Sequence, residues 1–405
     1  MIHQGQAPML RGIQVLDLSR VLAGPWATQM LADLGASVMK VERAGSGDDT
    51  RQWGPPYTAQ GLASYFTCAN RGKESVSVDF KNQEQLEAVQ KLALQADVIV
   101  ENFKVGQLQA FGLDAATLRS KKPELIYCSI TGYGQNGPRA KEAGYDFALQ
   151  GLTGLMSITG PADGPPFKVG VAVIDIVTGI YACNAITACL FQRTQTGKGA
   201  TIDCALFDTG IVLLANQGAA HLVAGAEPKA MGNAHPSIVP YQAYHAKDGY
   251  LVLAVGNDRQ FASLAKALDQ GSWAVDPRFA TNPQRVANRE LLNSLLEPLL
   301  MKASRSHWLK RFEAVGVPCT PVQSVSEVFT EPQLRERQLL VSHAEYSLNL
   351  DGDAQLQDAA SLLQTVGQPM VINGLRPSHP LPPPALGPTI TSSEPKASRS
   401  KAIKL

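Results

Sequence analysis

Residues 12–34 read GIQVLDLSRVLAGPWATQMLADL, and this stretch predicts a β-strand that leads into an α-helix. The strand is expected at 12–18, because its short apolar run is typical of a strand buried on both faces of a sheet. The helix is expected from Gly24 to Leu34, with Pro25 in its first turn, where proline is tolerated. A strand followed by such a helix is half of a βαβ unit, so the chain begins as an α/β protein.

The same alternation continues through the first half of the chain. Strands are predicted at 36–41, 75–80, 97–102 and 124–131, and helices at 82–95 and 113–120. Short apolar strands separated by helices indicate a parallel sheet covered on both faces, which is a Rossmann-like layout. The usual phosphate-binding patterns are absent from the sequence. No G-x-G-x-x-G follows the first strand, and TGKG at 196–199 lacks the other residues of a phosphate loop.

The second half of the chain has a different pattern, which predicts a smaller domain. Residues 207–222 are expected to form one long apolar helix, and 241–255 a β-hairpin that turns at 247–249. Helices at 258–268 and 289–301 follow the hairpin. Strands and helices are segregated here rather than alternating, so this domain is expected to be of the α+β class.

These patterns together predict a large domain assembled from two separate segments. The expected organisation is a first part of the large domain at 1–200, a linker helix at 201–224, a small α+β domain at 225–318, a return to the large domain at 319–390 and a tail at 391–405. The tail is polar, basic and aperiodic, so it is expected to be disordered.

Composition and charge exclude several classes of function. The 405 residues contain 36 Lys and Arg against 35 Asp and Glu, which argues against nucleic acid or an anionic membrane as the main partner. No apolar run reaches the roughly 18 residues of a membrane span, and residues 1–6 do not resemble a secretory signal. The six cysteines form no C-x-x-C pair and mostly lie among apolar residues, as reduced thiols do. We therefore expect a cytoplasmic protein.

One acidic residue, Asp175, stands alone in the apolar stretch 169–179, and no basic residue follows it until Arg193. An ionised carboxylate is costly to remove from water unless something pairs with it. Two interpretations are open on this evidence. Asp175 caps the apolar helix that follows, or it is a catalytic carboxylate. The seven histidines are scattered and none has metal-ligand spacing, so no metal site is expected.

Ordered motifs along the chain resemble those of the class III CoA-transferases, which include formyl-CoA transferase and carnitine CoA-transferase. The motifs are VLDLSRVLAGP at 15–25, KVER at 40–43, GDDTR at 47–51, NRGK at 70–73, ENF at 101–103, GYD at 144–146, Asp175 with Thr178 and Gly179, and TGKG at 196–199. The resemblance runs from about Gly12 to Pro388. Within the family, GNAHPSIVPY at 232–241 is most similar to enzymes that move CoA between succinate and glutarate-type dicarboxylates.

The resemblance implies a fold, a reaction and a nucleophile. The fold is an interlocked homodimer, in which each chain passes through the other. The reaction moves CoA from an acyl-CoA, expected to be succinyl-CoA, to an acid, expected to be a dicarboxylate. Asp175 is implied as the nucleophile that forms a mixed anhydride and then an aspartyl-CoA thioester. Coenzyme A and acyl-CoA are substrates in this reaction, so no tightly bound cofactor is expected.

The resemblance also implies positions that bind CoA. The backbone at Val21, Leu22 and Ala23 is expected near the thiol of the pantetheine arm. The remaining positions are Arg43, Val78 and Lys81 at the nucleotide end, Asn102 and Phe103 along the pantetheine arm, and Arg139 and Lys141 at the phosphates. An arginine can both stack on adenine and bind phosphate. For each basic residue the alternative is a solvated surface charge.

Asp146 is implied as an auxiliary residue that positions substrate or tunes the charge near Asp175. The alternative is a strand-end carboxylate that accepts hydrogen bonds from backbone N–H groups. The preceding residue is Tyr145, where the related α-methylacyl-CoA racemases have a histidine base, and this argues against racemisation.

The stretch 231–237 resembles a loop that covers the active site in formyl-CoA transferase. Gly232, Asn233 and His235 are therefore expected to shield the intermediate or to contact the substrate. Two alternatives to a transferase remain open. They are an acyl-CoA racemase or isomerase of the same superfamily, and a non-catalytic CoA-binding protein.

Overall fold

The computed structural model describes residues 8–58, 60–343, 346–348, 354–356 and 363–391. The chain divides into two compact units, the first made of 1–155, 169–218 and 333–405 and the second of 156–168 and 219–332. The first unit therefore joins N-terminal and C-terminal segments of the chain. The tail at 392–405, for which the sequence predicts disorder, lies outside the described residues.

A sheet of six parallel strands forms the centre of the first unit. Its strands are β1 Gln14–Asp17, β2 Ser37–Arg43, β3 Lys73–Val78, β4 Val98–Glu101, β5 Ile126–Thr131 and β6 Thr201–Ala205. They lie in the order β3-β2-β1-β4-β5-β6, and every neighbouring pair is parallel. This is the strand order of Rossmann-like domains. The predicted α/β class and parallel sheet are confirmed.

Helices cover both faces of this sheet. They are α1 Ala23–Asp33, α2 Ser64–Thr67, α3 Gln83–Gln95, α4 Ala115–Lys121, α5 Asp146–Leu152, α6 Val173–Thr196 and α7 Leu206–Val212, with 3₁₀ turns at Asp49–Gln52 and Gln107–Phe111. Strand β1 shows how its side chains divide between two cores. Val15 packs in the cluster that contains α1 and α6, while Leu16 packs in the cluster on the other face with α3. Successive side chains of a strand point to opposite faces, so a continuous apolar run is what this position requires.

Helix α6 is a core helix of the first unit. Among the described residues it alone is long and apolar enough to cross a membrane, judged by length and composition. Its residues Ile174, Thr178, Ala182, Ile186 and Leu190 are buried at intervals of four and form one face. Because residues four apart lie on the same side of a helix, this face packs into the core beside the sheet.

The predicted linker helix at 201–224 is wrong in two respects. Residues 201–205 form β6, which pairs with β5 at the edge of the sheet. The helix expected at 207–222 is divided into α7 and α8 Ala215–Ala224. Ala215 has a φ of 44°, and a right-handed helix cannot continue through a residue in the left-handed region.

The second unit contains an antiparallel sheet of three strands. They are β7 Tyr241–Ala246, β8 Gly249–Ala254 and β9 Cys319–Pro321. Its helices are α9 Asp258–Ala267, α10 Asn282–Ala287, α11 Arg289–Leu300, α12 Arg305–Glu313 and α13 Val325–Val328, with 3₁₀ turns at Leu155–Ile158 and Gly271–Ala274. The hairpin of β7 and β8 turns between Ala246 and Gly249, where the sequence predicts it.

The boundaries of the second unit differ from the predicted 225–318. Strand β9 pairs with β8, so the chain stays in this unit until residue 332. Residues 156–168 also belong to it, and Gly232 donates a backbone hydrogen bond to the carbonyl of Gly160 at 2.8 Å. Both contacts join segments that are distant in sequence. The remaining elements are α14 Pro332–Glu336, β10 Leu340–His343, β11 Tyr346–Leu348, β12 Ala354–Leu356 and β13 Leu363–Val366.

Candidate active site

Two neighbouring cavities open in the first unit beside the carboxyl ends of its strands. The first cavity, of about 620 Å³, is lined by residues that follow β1, β2 and β3. The second cavity, of about 480 Å³, is lined by residues that follow β1, β4 and β5 and by Asp175 of α6. Arg20, Asp49 and Phe103 line both cavities. In sheets of this kind ligands bind where the strand order reverses, and that point lies between β1 and β4.

The cavities bring most of the predicted site residues together. The first is lined by Arg43, Val78, Lys81 and Phe103, among others. The second is lined by Val21, Leu22, Ala23, Asn102, Phe103, Tyr145 and Asp175, among others. These residues come from six separate segments of the sequence. The structure places them together, and their roles in binding remain predictions.

Asp175 is the third residue of α6 and does not cap it. The helix begins at Val173, its N-cap position is Ala172, and no side chain caps it from that position. The interpretation of Asp175 as the helix cap is therefore wrong. The carboxylate is free for another role, in a cavity that it shares with the start of α1.

Asp146, the first residue of α5, satisfies the exposed N–H groups of α6 instead. Its Oδ1 accepts hydrogen bonds from the backbone N–H of Ile174 at 2.8 Å and of Asp175 at 3.2 Å. Its Oδ2 accepts a bond of 2.6 Å from Nε2 of Gln150. The sequence left open that Asp146 is a strand-end carboxylate that accepts hydrogen bonds from backbone N–H groups. The structure shows such bonds, although they lie at the start of a helix rather than at the end of a strand. The same bonds place a second carboxylate beside Asp175.

The surroundings of Asp175 raise its pKa to about 7 from the usual 3.8. Burial makes the larger contribution, because it disfavours the charged form, and the negative charge of Asp146 adds to it. No cation among the described residues offsets these two effects. A carboxylate with a raised pKa is a stronger base and nucleophile than an ordinary one, and such groups cluster at functional sites. The geometry and the charge therefore both single out Asp175.

Comparison with known proteins agrees with the motifs. The family model for CoA-transferase family III matches residues 10–387, which is almost the whole chain. The chain belongs to CoA-transferase family III. The predicted family and enzyme class are confirmed, and the protein is a CoA-transferase.

This CoA-transferase has similar relatives in bacteria and in humans. A succinate–glutarate CoA-transferase of Agrobacterium fabrum is 45% identical over 385 residues, covering 94% of this chain and 93% of the relative. The human succinyl-CoA:glutarate CoA-transferase is 45% identical over 332 residues, covering 82% of this chain and 76% of the relative. A crystal structure of a CaiB/BaiF family protein from Brucella suis has a TM-score of 0.82 at 44% identity, covering 94% and 97% of the two chains.

Two cations predicted to contact phosphate, Arg139 and Lys141, line neither cavity of the CoA-transferase. Arg139 forms an ion pair of 2.7 Å with Glu142, and its guanidinium lies 4.4 Å from the ring centre of Tyr133. Lys141 is exposed. The loop reaches the second cavity through other residues, including Glu142. A phosphate contact by Arg139 or Lys141 stays a prediction.

Asn102 of the CoA-transferase has a structural contact that the sequence did not reveal. Its side-chain Oδ1 accepts the N–H of Arg20 at 3.0 Å, and its Nδ2 donates to the carbonyl of Arg20 at 2.7 Å. The amide therefore joins the loops that follow β1 and β4, across the point where the strand order reverses. Asn102 lines the second cavity at the same time.

Sequence reasoning missed Arg20, Asp49 and Trp53, which all line the second cavity. Arg20 and Asp49 form an ion pair of 3.0 Å, and Trp53 makes an edge-on contact with Tyr65. One rule would have found Arg20, since residues directly after a strand of a parallel sheet lie at its ligand-binding edge. Asp49 lies in the GDDTR motif but was given no role of its own, and no local pattern identifies Trp53.

The predicted loop residues Gly232, Asn233 and His235 belong to the second unit. The His235 ring lies 5.3 Å from that of Tyr241, and its carbonyl accepts a bond of 2.9 Å from Arg289. Their role as a cover of the active site stays a prediction. Within the part of the chain that the structure describes, no group of three or more His, Cys, Asp or Glu side chains could hold a metal ion.

Proposed function

We propose that this enzyme moves CoA from succinyl-CoA to a dicarboxylic acid and that Asp175 is the nucleophile. The observation that carries the proposal is the carboxylate of Asp175 in the second cavity, with a pKa raised to about 7 that no cation among the described residues offsets. Two relatives at 45% identity are named for exchange between succinate and glutarate, which supports the choice of acids.

The proposed reaction proceeds in four steps, each of which is an attack on an acyl carbonyl. The carboxylate of Asp175 attacks the thioester carbonyl of succinyl-CoA, the C–S bond breaks, and a mixed anhydride and CoA thiolate result. The thiolate then attacks the Asp175 carbonyl of the anhydride, so that succinate leaves and an aspartyl-CoA thioester remains. The acceptor carboxylate attacks this thioester, giving a new anhydride and the thiolate again. The thiolate finally attacks the acceptor's carbonyl, which yields the new acyl-CoA and restores Asp175.

The raised pKa suits Asp175 to this role. Near neutral pH a large fraction of the group is ionised, yet the carboxylate is more basic than one that is paired or fully hydrated. Partial burial also limits the access of water, which would hydrolyse an anhydride. Asp146 contributes by adding charge and by fixing the first turn of α6 through the N–H groups of Ile174 and Asp175.

The start of α1 supplies groups that can stabilise the tetrahedral intermediates. Leu22 and Ala23 line the cavity of Asp175, and no side chain caps α1 at its N-cap residue Leu22. The first N–H groups of a helix have no partner within the helix, and they favour a negative charge. We assign these N–H groups to the oxyanion that forms when Asp175 attacks the thioester.

Coenzyme A is proposed to span both cavities. The nucleotide occupies the first cavity near Arg43 and Lys81, and the pantetheine arm passes Phe103 into the second cavity. The arrangement is supported by Arg20, Asp49 and Phe103, which line both cavities and so place them next to each other. Arginine and lysine are the usual partners of phosphate groups.

We also propose that the enzyme is a cytoplasmic homodimer. Exposed apolar side chains on α5, α6 and α7 support a protein interface there, namely Phe147, Leu152, Ile180, Tyr181, Phe191, Ile211 and Val212. The six cysteines are free, as expected in a reducing compartment. A mass of about twice 43.3 kDa by light scattering would support the dimer. A mass of one chain would overturn it, and interlocking of the subunits stays a prediction.

Trapping of the intermediates tests the proposed reaction. The enzyme is incubated with succinyl-CoA, treated with borohydride or hydroxylamine, digested and mapped by mass spectrometry. The expected modification is on the peptide that contains Asp175, and it should be absent from the Asp175→Ala variant. Modification of another carboxylate, or transfer activity that survives in the variant, would contradict the proposal.

A panel of acceptors tests the substrate class. Succinyl-CoA is offered with glutarate, other dicarboxylates, formate and oxalate, and the products are identified by mass spectrometry in deuterated water. Transfer to glutarate without deuterium at the α-carbon is expected. Transfer to formate or oxalate alone would overturn the choice of acids. Deuterium at the α-carbon would indicate a racemase instead.

A further inference from the structure

The loop that follows β1 contains a strained residue. Val21 has a φ of 71°, in the left-handed region, which a β-branched side chain strongly disfavours. Val21 directly precedes Leu22, the N-cap residue of α1, and it lines the second cavity together with Asp175. A residue in such a conformation persists only when its surroundings hold it there.

Asp48 provides that restraint. The N–H of Val21 donates to both carboxylate oxygens of Asp48, at 3.3 Å and 3.2 Å. The side chain of Asp48 is itself fixed by a buried ion pair of 2.9 Å with Lys40. The Nζ of Lys40 also donates to the carbonyl of Ser19 at 2.8 Å. One buried ion pair thus binds the backbone on both sides of Arg20.

Further bonds keep Asp48 ionised and oriented. Thr50 donates to its Oδ1 from the backbone N–H at 3.0 Å and from the hydroxyl at 2.8 Å. Burial alone would raise the pKa of Asp48, but Lys40 and these bonds lower it below the usual value. Asp48 lines the first cavity, while the residue that it holds lines the second.

We propose that Asp48 is a positioning residue for CoA transfer. Its carboxylate holds Val21 in the left-handed conformation and so fixes the start of α1 in the wall of the cavity that contains Asp175. This inference rests on the proposed function, because it takes that cavity as the place of the reaction. A displacement of about 1 Å between reacting groups can lower a rate about 100-fold, so a small shift of this loop is expected to matter.

The test compares Asp48→Asn in two backgrounds, the natural chain and the Val21→Gly variant. Glycine adopts a positive φ without steric strain, so a chain with Val21→Gly depends less on Asp48 to keep the loop in this conformation. We expect Asp48→Asn to lower kcat about 100-fold in the natural chain. In the Val21→Gly background the same substitution is expected to lower kcat by a factor of about ten or less. An equal loss of kcat in both backgrounds would overturn the proposal, as would no loss in either.

Asp97→Asn is a matched control. Asp97 accepts a hydrogen bond of 2.9 Å from the backbone N–H of Gln14 and forms an ion pair of 3.0 Å with Arg193, so it resembles Asp48 in its bonds. It lies at the amino ends of the strands, however, whereas the cavities lie at their carboxyl ends. It lines neither cavity. This variant is expected to lower the thermal midpoint without a change in kcat. A loss of kcat like that of Asp48→Asn would indicate a general effect of weakened folding and would contradict the proposal.

A milder variant covers the case in which Asp48→Asn does not fold. Thr50→Val removes only the hydroxyl that orients Asp48 and leaves both charges in place. Its loss of kcat is expected to be about threefold to tenfold and to disappear in the Val21→Gly background. Failure of this rescue would overturn the role of Asp48. The result is independent of the trapping experiment, which tests whether Asp175 is the nucleophile.

Discussion

Two regions of the first unit that hold carboxylates away from solvent treat their charge in opposite ways. A charge cluster near the loop after β1 consists of Asp17, Lys40, Asp48 and Lys73. In it Asp17 lies 3.0 Å from Lys73, and Asp48 lies 2.9 Å from Lys40. At the start of α6, Asp175 has a carboxylate neighbour, Asp146, and no cation in the described part of the chain offsets its charge. The charge cluster neutralises every acidic group that it buries, whereas the start of α6 leaves one uncompensated.

The difference between the pKa values of Asp17 and Asp175 comes from the charges beside each carboxylate rather than from the depth of burial. Asp17 is fully buried, which would raise its pKa, yet Lys73 and Lys40 lower it to about 2. Asp175 is less buried, and its pKa rises to about 7. Ionisation of Asp17 therefore favours the folded state, although burial lowers the pKa of its partner Lys73 to about 8. Ionisation of Asp175 disfavours the folded state and makes the group reactive. Stability is commonly reduced in this way at functional sites.

The largest expected effect comes from removing the reactive carboxylate. Asp175→Asn keeps the size of the side chain but cannot form an anhydride, so kcat is expected to fall by a factor of about 10⁴. The rate of transfer from succinyl-CoA to glutarate measures the effect, and circular dichroism checks the fold. Activity within tenfold of the natural enzyme would show that Asp175 is not the reactive group, and the proposed functional difference between the two regions would then be wrong.

The next effect comes from breaking the charge cluster. Lys73→Met leaves Asp17 buried without its nearest cation and is expected to lower the free energy of unfolding by about 3–5 kcal/mol. Urea denaturation measures the change. Adding Asp17→Asn to this variant should recover part of the loss, because the uncompensated charge is then gone. A double variant less stable than Lys73→Met alone would argue against that reason.

A smaller effect of the opposite sign is expected for stability at Asp175. Its pKa is about 7 in the folded chain and 3.8 in the unfolded one, so ionisation destabilises the fold as the pH rises between these values. Asp175→Asn removes this penalty and is expected to raise the free energy of unfolding at pH 8 by about 1–2 kcal/mol, allowing for partial solvent screening. Near pH 4 the two proteins should be equally stable. An equal gain at both pH values would mean that charge is not the cause.

The smallest effect concerns Asp146. Asp146→Asn keeps an oxygen for the N–H groups of Ile174 and Asp175 but removes the charge that helps to raise the pKa of Asp175. The acidic limb of the kcat–pH profile should therefore move to lower pH, with kcat at pH 8 changed less than about tenfold. Asp146→Ala, which also removes the oxygen, is expected to cost about 1 kcal/mol of stability in addition. A profile that stays in place would show that Asp146 acts only through its hydrogen bonds.

The sequence predicted best where a pattern is local. Strands β1 to β5 are continuous apolar or half-apolar runs, and their positions agree with the sequence to within about three residues at each end. Strand β6, with the sequence TIDCA, was missed because it lies at the sheet edge, where its residues alternate between buried and exposed. The break between α7 and α8 was missed as well, because nothing in the residues around Ala215 predicts a positive φ.

The sequence by itself determined the α/β class and the family, and it singled out Asp175 as the candidate nucleophile, since these inferences depend on local periodicity and on ordered motifs. Only the tertiary structure decided that Asp175 does not cap its helix and that Asp146, 29 residues away, accepts hydrogen bonds from the helix start instead. It also decided that, among the residues it describes, no cation offsets the raised pKa of Asp175. It also decided that Asp17 is paired with Lys73, 56 residues later. The physical reason is common to all of these findings. The pKa of a carboxylate depends on the charges and bonds around it, and strand order brings those partners together from distant parts of the chain.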